Sequence, residues 1–439
     1  MTRAALARHP GVAWAAAFAG AWLAAASCRT TRDIPLEALL RKTGPLTIEP
    51  SQFVASPSLR VGVRVLVRES VLRAPAGVRV HGASVTESGW LLRDLPRATF
   101  EPVGDSGRLR LRETGDVLAR AIVEPQDRSQ NLTADAAPYR GVFEVLPADD
   151  ARLTVVNVVQ LEDYLRGVVP NELAPKAFRQ LEAQKAQAVA ARSYALAHLG
   201  DYSSRGYDVC ATAACQVYRG VSSEHKLSDR AVSETRGVVA TWRGRPIHAF
   251  YTSTCGGHTE EGTEVFEDGA PYLRGVACPA EEGIADHDRE RGRPWQVRLG
   301  AADVERRVAR YGSVGRVLDL VPTRVGVSGR VVELKVVGSE GELALRGQRV
   351  RLGLRLRESL FVLHKETATP DEEPRFVFTG NGWGHGVGLC QLGASGMARG
   401  GATFEEILKH YYTGVAVSLL DEASLVRAGA APAVPAAAF

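Results

Sequence analysis

A mixed α+β fold dominated by short strands is predicted for this chain of 439 residues, and three observations carry the prediction. Short apolar runs alternating with polar residues recur along most of the sequence, with turn residues between them. A single stretch, 175–199, has a strong helical period. No internal repeat runs through the chain.

Taken in order, the first 28 residues stand outside the fold. Arg3 and Arg8 give a positive start, Val12 to Ala26 an apolar run, and Ala25-Ala26-Ser27 small residues directly before Cys28. This reads as an export signal of the lipoprotein kind, with Cys28 acylated after cleavage, although Ala25 stands where Leu is expected. No other segment reaches the roughly 20 apolar residues that span a bilayer. Residues 29–57 are polar and carry Pro35, Pro45, Pro50 and Pro57, which suits a tether.

Residues 58–150 then read as an N-terminal β-rich part, with alternations at 60–67, 77–80 and 109–111 and a further strand at 140–146. The core, 151–420, opens with a strand at 152–159. In the helix at 175–199, Phe178, Leu181, Ala186, Val189, Ala190, Ser193, Tyr194 and Ala197 recur at three- and four-residue spacing. Pro175 suits its first turn and Gly200 its stop. Residues 213–300 return to short strands, 301–311 form a short helix, 317–363 strands and 365–374 a polar loop. A Gly-rich stretch at 380–401 precedes a helix at 403–411, and the Ala/Pro tail at 421–439 is predicted to be disordered.

Composition narrows the partners. With 54 basic and 50 acidic residues spread along the chain, the net charge of +4 gives no reason to invoke nucleic acid and only a weak pull toward an anionic polymer such as a cell wall. Export would place Cys210, Cys215, Cys255, Cys278 and Cys390 in an oxidising compartment, where disulfides persist. Their odd number leaves at least one thiol free or paired outside the chain.

Chemistry concentrates at VVPNELAP, 168–175. Pro170 and Pro175 bracket Glu172 and restrict its backbone. Set among Val168, Val169 and Leu173, its carboxyl is a candidate for desolvation, which holds a carboxylic acid protonated for general-acid work. Spacing alone favours a Glu that merely complements a helix entry or caps its first turn.

The run VVPNELAP followed by LEAQKAQAVAARSYAL closely resembles the signature of the stage II sporulation protein D (SpoIID/LytB) family. CQVYRG (215–220), YTSTCGGHTEEG (251–262), PYLRGV (271–276) and GNGWGHGVGLCQLGASGMA (380–398) match the same family in the same order. SLRVGVRV resembles its first strand, so the likeness covers most of the chain. The resemblance implies a β-rich SpoIID-like domain with a long helix after the catalytic Glu loop. It implies peptidoglycan glycan strands as substrate, lytic transglycosylase chemistry and Glu172 as the single acid/base. A two-carboxylate hydrolysis would need a second Asp or Glu; Glu260 and Glu261 are the nearest candidates in these strings, and both read as surface residues. The LytB branch implies an alternative, a non-catalytic wall-binding modulator of an N-acetylmuramoyl-L-alanine amidase.

Helper roles follow from the same match. Gln187, Arg192 and Tyr194, on the helix after Glu172, are candidates for binding sugar hydroxyls or developing charge, Tyr194 equally for the core. Ser253 precedes a glycine pair that permits close approach to a ligand. Trp383 and His385 are presented by a glycine loop, Trp383 for a sugar face and His385 for a hydroxyl or the Glu172 carboxyl. No βαβ unit surrounds these glycines, so a dinucleotide site is excluded. Some relatives place a His/Cys zinc set just before CQVY. Here Ala214 replaces the ligand and no His lies in 199–209, so no cofactor is expected there and Cys210–Cys215 is expected as a disulfide. Cys255–Cys278 is expected as a second, with His248, Cys255, His258 and Cys278 as the alternative zinc set. Cys390 reads as a buried small hydrophobe.

Overall fold

The structure, a computed structural model, describes residues 57–85, 90–267, 269–278, 294–367 and 373–420. The expected signal and Cys28, all but the end of the tether, and the 421–439 tail lie outside the described residues.

Strands Ser58–Val67 (β1), Ser70–Ser84 (β2), Trp90–Pro102 (β3), Leu109–Leu111 (β4), Val117–Pro125 (β5), Leu132–Ala134 (β6), Ala137–Tyr139 (β7), Val142–Ala148 (β8), Arg152–Gln160 (β9) and Val209–Cys210 (β10) make one sheet. Its order is β10-β1-β9-β8-β5-β4-β3-β2-β6-β7, and β5 also pairs with β2, so the sheet curls back on itself. The alternation read at 60–67 is visible from Val63 onward, while Leu59 to Gly62 are buried on both sides. There the strand lies between antiparallel β9 and the short parallel β10.

From β9 the chain passes directly into helices Leu161–Arg166 (α1), Val169–Glu172 (α2) and Leu181–Ala197 (α3). The long helix therefore begins at Leu181, six residues later than its sequence period suggests. Residues 174–178 form a separate turn, with the Ala177 and Phe178 amides both donating to the Ala174 carbonyl. Gln184 Nε2 holds that turn by donating to the Leu173 and Phe178 carbonyls, each at 2.9 Å. α3 has two cores rather than one. Ala188, Ala191, Ala195 and Leu196 pack into the core of the large sheet. Ala183, Ala186, Val189, Ala190 and Tyr194 pack into a second core with Leu389, Cys390, Tyr411 and Tyr412. Alanine suits such a helix because a short side chain allows close approach on every face, and a helix apolar all round is a buried one.

Lys226–Glu234 (α4) adds Val232 to the core of the large sheet, and the second core is completed by Val238–Trp242 (β11), Arg245–Pro246 (β12), Tyr251–Thr252 (β13) and Gly262–Val265 (α5). A third core gathers Trp295–Gly300 (β14), Ala301–Val308 (α6), Val317–Val325 (β15), Val331–Gly338 (β16), Gly341–Arg346 (β17), Gln348–Leu354 (α7), Phe361–Glu366 (β18) and Arg375–Gly380 (β19). The chain then returns to the second core through Leu389–Cys390 (β20), Gln391–Arg399 (α8), Phe404–Tyr411 (α9) and Ala416–Leu419 (β21). β20 pairs in parallel with β13, Tyr251 opposite Leu389 and Thr252 opposite Cys390.

The β-rich α+β class is present, and the helices at 301–311 and 403–411 appear as α6 and α9. Three further helices leave little trace in the sequence. α4 buries only Ser228, Ala231 and Val232, too little apolar stripe to register. α7, QRVRLGL, interleaves Arg with apolar residues as a strand would. α8 contains Gly393 and Gly396, each unfavourable in a helix by about 1 kcal/mol. Close packing overrides that cost, since a side chain at Gly393 would lie 2.1 Å from both Cys278 Sγ and Tyr411 Oη. Among the described residues no helix is long and apolar enough to cross a membrane.

Candidate active site

Glu172 ends α2, a single turn opened by Val168 with Pro170 among its first residues. Asn171 fixes the turn by donating to the Gly167 carbonyl at 2.6 Å and to Ser223 Oγ at 2.9 Å. The Glu172 side chain does not cap α3. Its Oε1 instead accepts from the Val217 amide at 2.7 Å, and the Tyr251 hydroxyl lies close enough to favour the charged carboxylate. Burial pushes the carboxyl above the ordinary carboxylate range, against the pull of the Val217 and Tyr251 donors.

Hydrogen-bond arithmetic fixes the direction of the network behind it. Gln216 Nε2 faces the Ala191 carbonyl at 3.2 Å, which can only accept, so that nitrogen is the amide donor. The same Nε2 lies 3.2 Å from Tyr251 Oη. Tyr251 must accept there, which leaves its one proton for Glu172. Gln216 Oε1 in turn accepts from the Tyr164 hydroxyl at 3.1 Å. Burial and the nearby Glu172 charge push both phenols well above their ordinary range, so both stay donors.

Gln216 and Val217 are held by a staple. Cys210 and Cys215 are joined as a disulfide, with Cys210 on β10 opposite Gly62 of β1. Tyr218, immediately after Val217, is buried and donates to Asn157 Oδ1 at 2.8 Å. The loop is thereby tied to the large sheet at both ends.

His385 acts on this site through Tyr251. Its Nδ1 accepts from the Val387 amide at 3.1 Å, which puts the ring proton on Nε2, and the ring donates to the Tyr251 backbone. Burial, with Arg351 and Arg330 nearby, pushes its pKa down to about 3, so the ring is neutral. Gly384, at φ +126°, brings the loop against Thr252, where a side chain would lie 2.1 Å from Oγ1. Trp383 presents a ring that is 44% exposed, with the Arg357 guanidinium 4.8 Å from its centroid. Its backbone pairs with Thr254, the residue after the half-exposed Ser253. Tyr194 packs on His198 with tilted rings, centroids 4.0 Å apart, and its phenol lies close enough to raise those of Tyr164 and Tyr251.

Four sequence readings are corrected. Arg192 is fully buried and grips Glu162 in a two-pronged pair at 2.8 and 2.7 Å, so it is turned away from any ligand. Gln187 is also buried, its Oε1 accepting from Gln391 at 3.3 Å; it faces α8 rather than an open groove. Glu260 is not at the surface: it is buried and accepts from Val327 N, Ser328 N, Ser328 Oγ and Glu261 N. Cys255 and Cys278 are not joined as a disulfide; both remain thiols, and Cys390 is a third buried beside them. His258 Nδ1 is 2.7 Å from the Thr259 carbonyl and His248 Nδ1 3.2 Å from His198, and neither His joins those thiols as a ligand.

Tyr251, Gln216, Tyr164 and Gln184 belong to the site although the sequence does not single them out. All but Tyr164 lie inside the long matching strings, and that is the one signal available.

A family model described as Stage II sporulation protein matches residues 149–242, which hold Glu172, α3, Gln216 and Val217. A domain of unknown function matches residues 280–388. An uncharacterized protein of Brachyspira hyodysenteriae is 34% identical, covering 80% of this chain and 92% of that protein. Stage II sporulation protein D of Bacillus subtilis is 30% identical over 67% of this chain and 86% of that protein. The amidase enhancer of Bacillus subtilis is 28% identical over 58% of this chain, which spans 40% of that longer protein. With the family model over residues 149–242 and stage II sporulation protein D matched over 86% of its length, the chain belongs to the stage II sporulation protein D (SpoIID/LytB) family.

Proposed function

We propose that the chain is an exported, lipid-anchored cell-envelope protein that cleaves peptidoglycan glycan strands as a lytic transglycosylase. The observation that carries the reading is a single enclosed carboxyl, Glu172, held by the Val217 amide beside a Tyr251 hydroxyl that Gln216 orients, with burial raising its pKa. Protonated Glu172 donates to the glycosidic oxygen, and the C1–oxygen bond breaks through an oxocarbenium-like state. The C6 hydroxyl of the same muramyl sugar then bonds to C1, and its proton returns to Glu172, so one carboxylate closes the cycle with a 1,6-anhydro product. Tyr251 supports the ionised half of that cycle by donating to the carboxylate. Glu260 is occupied by the 327–328 turn, in keeping with a reaction that needs no second carboxylate. Trp383 offers an aromatic face for a sugar ring.

Digestion of purified, peptide-free glycan strands tests the reading. The full chain should release 1,6-anhydromuramyl ends detected by mass, and Glu172→Gln should lose at least about 100-fold in rate. The likeness to an amidase enhancer favours a second reading, a wall-binding modulator of an N-acetylmuramoyl-L-alanine amidase. Intact strands with both proteins, alongside stimulation of an added amidase, would select that second reading.

A further inference from the structure

A cluster of three thiols lies apart from the Glu172 network. Cys255, Cys278 and Cys390 are all buried, and their Sγ atoms lie within 4.8 Å of one another. They come from three distant segments: the loop after β13, the stretch ahead of β14 and the start of α8. A disulfide joins two sulfurs and strands the third, whereas three converging sulfurs match the donor set of a thiolate-bound cation.

The surroundings are built for such a set. Cys390 Sγ accepts from the Cys255 amide at 3.3 Å and the Gly393 amide at 3.4 Å. The Tyr411 hydroxyl lies 3.1 Å from Cys278 Sγ. Hydrogen bonds to ligating atoms orient them and temper their charge, which is the usual outer layer of a metal site. Room for that layer depends on Gly393, where any side chain would collide with both Cys278 Sγ and Tyr411 Oη.

We propose that Cys255, Cys278 and Cys390 bind a thiophilic divalent cation of the zinc class, with water in the fourth position. Thiolate donors select zinc over the hard cations, and zinc takes four ligands in a tetrahedron. The cation clamps β20 to the loop after β13, and so stiffens the strand pair that carries Tyr251. Zinc binding releases the thiol protons, so no oxidant is consumed. The site does not depend on the proposed glycan chemistry.

The test uses the full chain, produced in an exporting host and purified without chelator or reductant. Elemental analysis should find about one zinc per chain. Alkylation of the denatured, unreduced protein should label Cys255, Cys278 and Cys390 while Cys210–Cys215 stays closed. In the cobalt-substituted chain, the near-ultraviolet thiolate charge-transfer band should fall by about one third in Cys390→Ser. A disulfide between any two of the three, or three reduced thiols that retain no zinc after titration, overturns the proposal. Both of those readouts come from the wild-type chain, so the outcome does not hinge on a variant that fails to fold.

Discussion

Two carboxylates stand near the long helix α3, and they are held in opposite ways. Glu162, on α1, is clamped by both prongs of Arg192 and also accepts from the Gly237 amide at 3.3 Å. Glu172, on α2, has a backbone amide and a phenol and, among the described residues, no cation paired with it. A carboxylate gripped by a guanidinium ties two elements together. One that faces only neutral donors in an enclosed setting is pushed by burial toward its protonated form, the form a general acid needs. The sequence makes the two sides look alike, since both Arg192 and Glu172 lie in matched strings.

Substitutions on the two sides should therefore separate cleanly. The largest effect is expected from Glu172→Gln, a loss of about 10²- to 10⁴-fold in strand cleavage with a folded circular-dichroism spectrum. Arg192→Met should instead destabilise the fold by about 3–5 kcal/mol, because it leaves Glu162 buried without its partner. Denaturant melts read that difference; equal stability in the two variants would break the contrast. Opening the staple with Cys210→Ser and Cys215→Ser together should cost about 2 kcal/mol, as expected for a short loop, and should also slow cleavage by loosening Gln216 and Val217.

Smaller effects sharpen the picture of Glu172 itself. Its acid form starts the proposed reaction, so the rate should fall as pH rises through its raised pKa. The Tyr251 bond favours the charged form, so Tyr251→Phe should move that fall to higher pH while lowering the maximum rate. A shift to lower pH would show that Tyr251 does not donate to Glu172. Stability follows the same sign. A raised folded pKa gives stability that is fully present below the unfolded value of about 4.3 and is lost as pH rises through the folded one. Glu172→Gln should thus melt at or above wild type at neutral pH, and lose that advantage in acid.

Much of this arrangement is legible in the chain. The strands at 60–67 and 152–159, the helical period after Glu172 and the short Cys210–Cys215 spacing are local signals, and each corresponds to an element or bond. Gly384 and its neighbours are readable as a tight loop because only glycine tolerates such backbone angles. Arg192 misleads, because a charged residue in a family string looks functional until its partner is known. Glu260 reads as exposed because the turn at 327–328 that receives it is remote in sequence.

The sequence by itself determined the β-rich class, the family, the position of Glu172 and the redox-suited cysteine pair, since all of these rest on composition, local spacing or contiguous strings. Tertiary structure alone decided which groups reach the carboxyl. Val217 and Tyr251 meet Glu172 only after β10, α3 and β13 have packed, and Cys390 meets Cys255 and Cys278 only when β20 pairs with β13. The physical reason is that a pKa or a ligand set depends on burial and on the direction of donors within a few ångströms, and neither exists until distant segments are brought together.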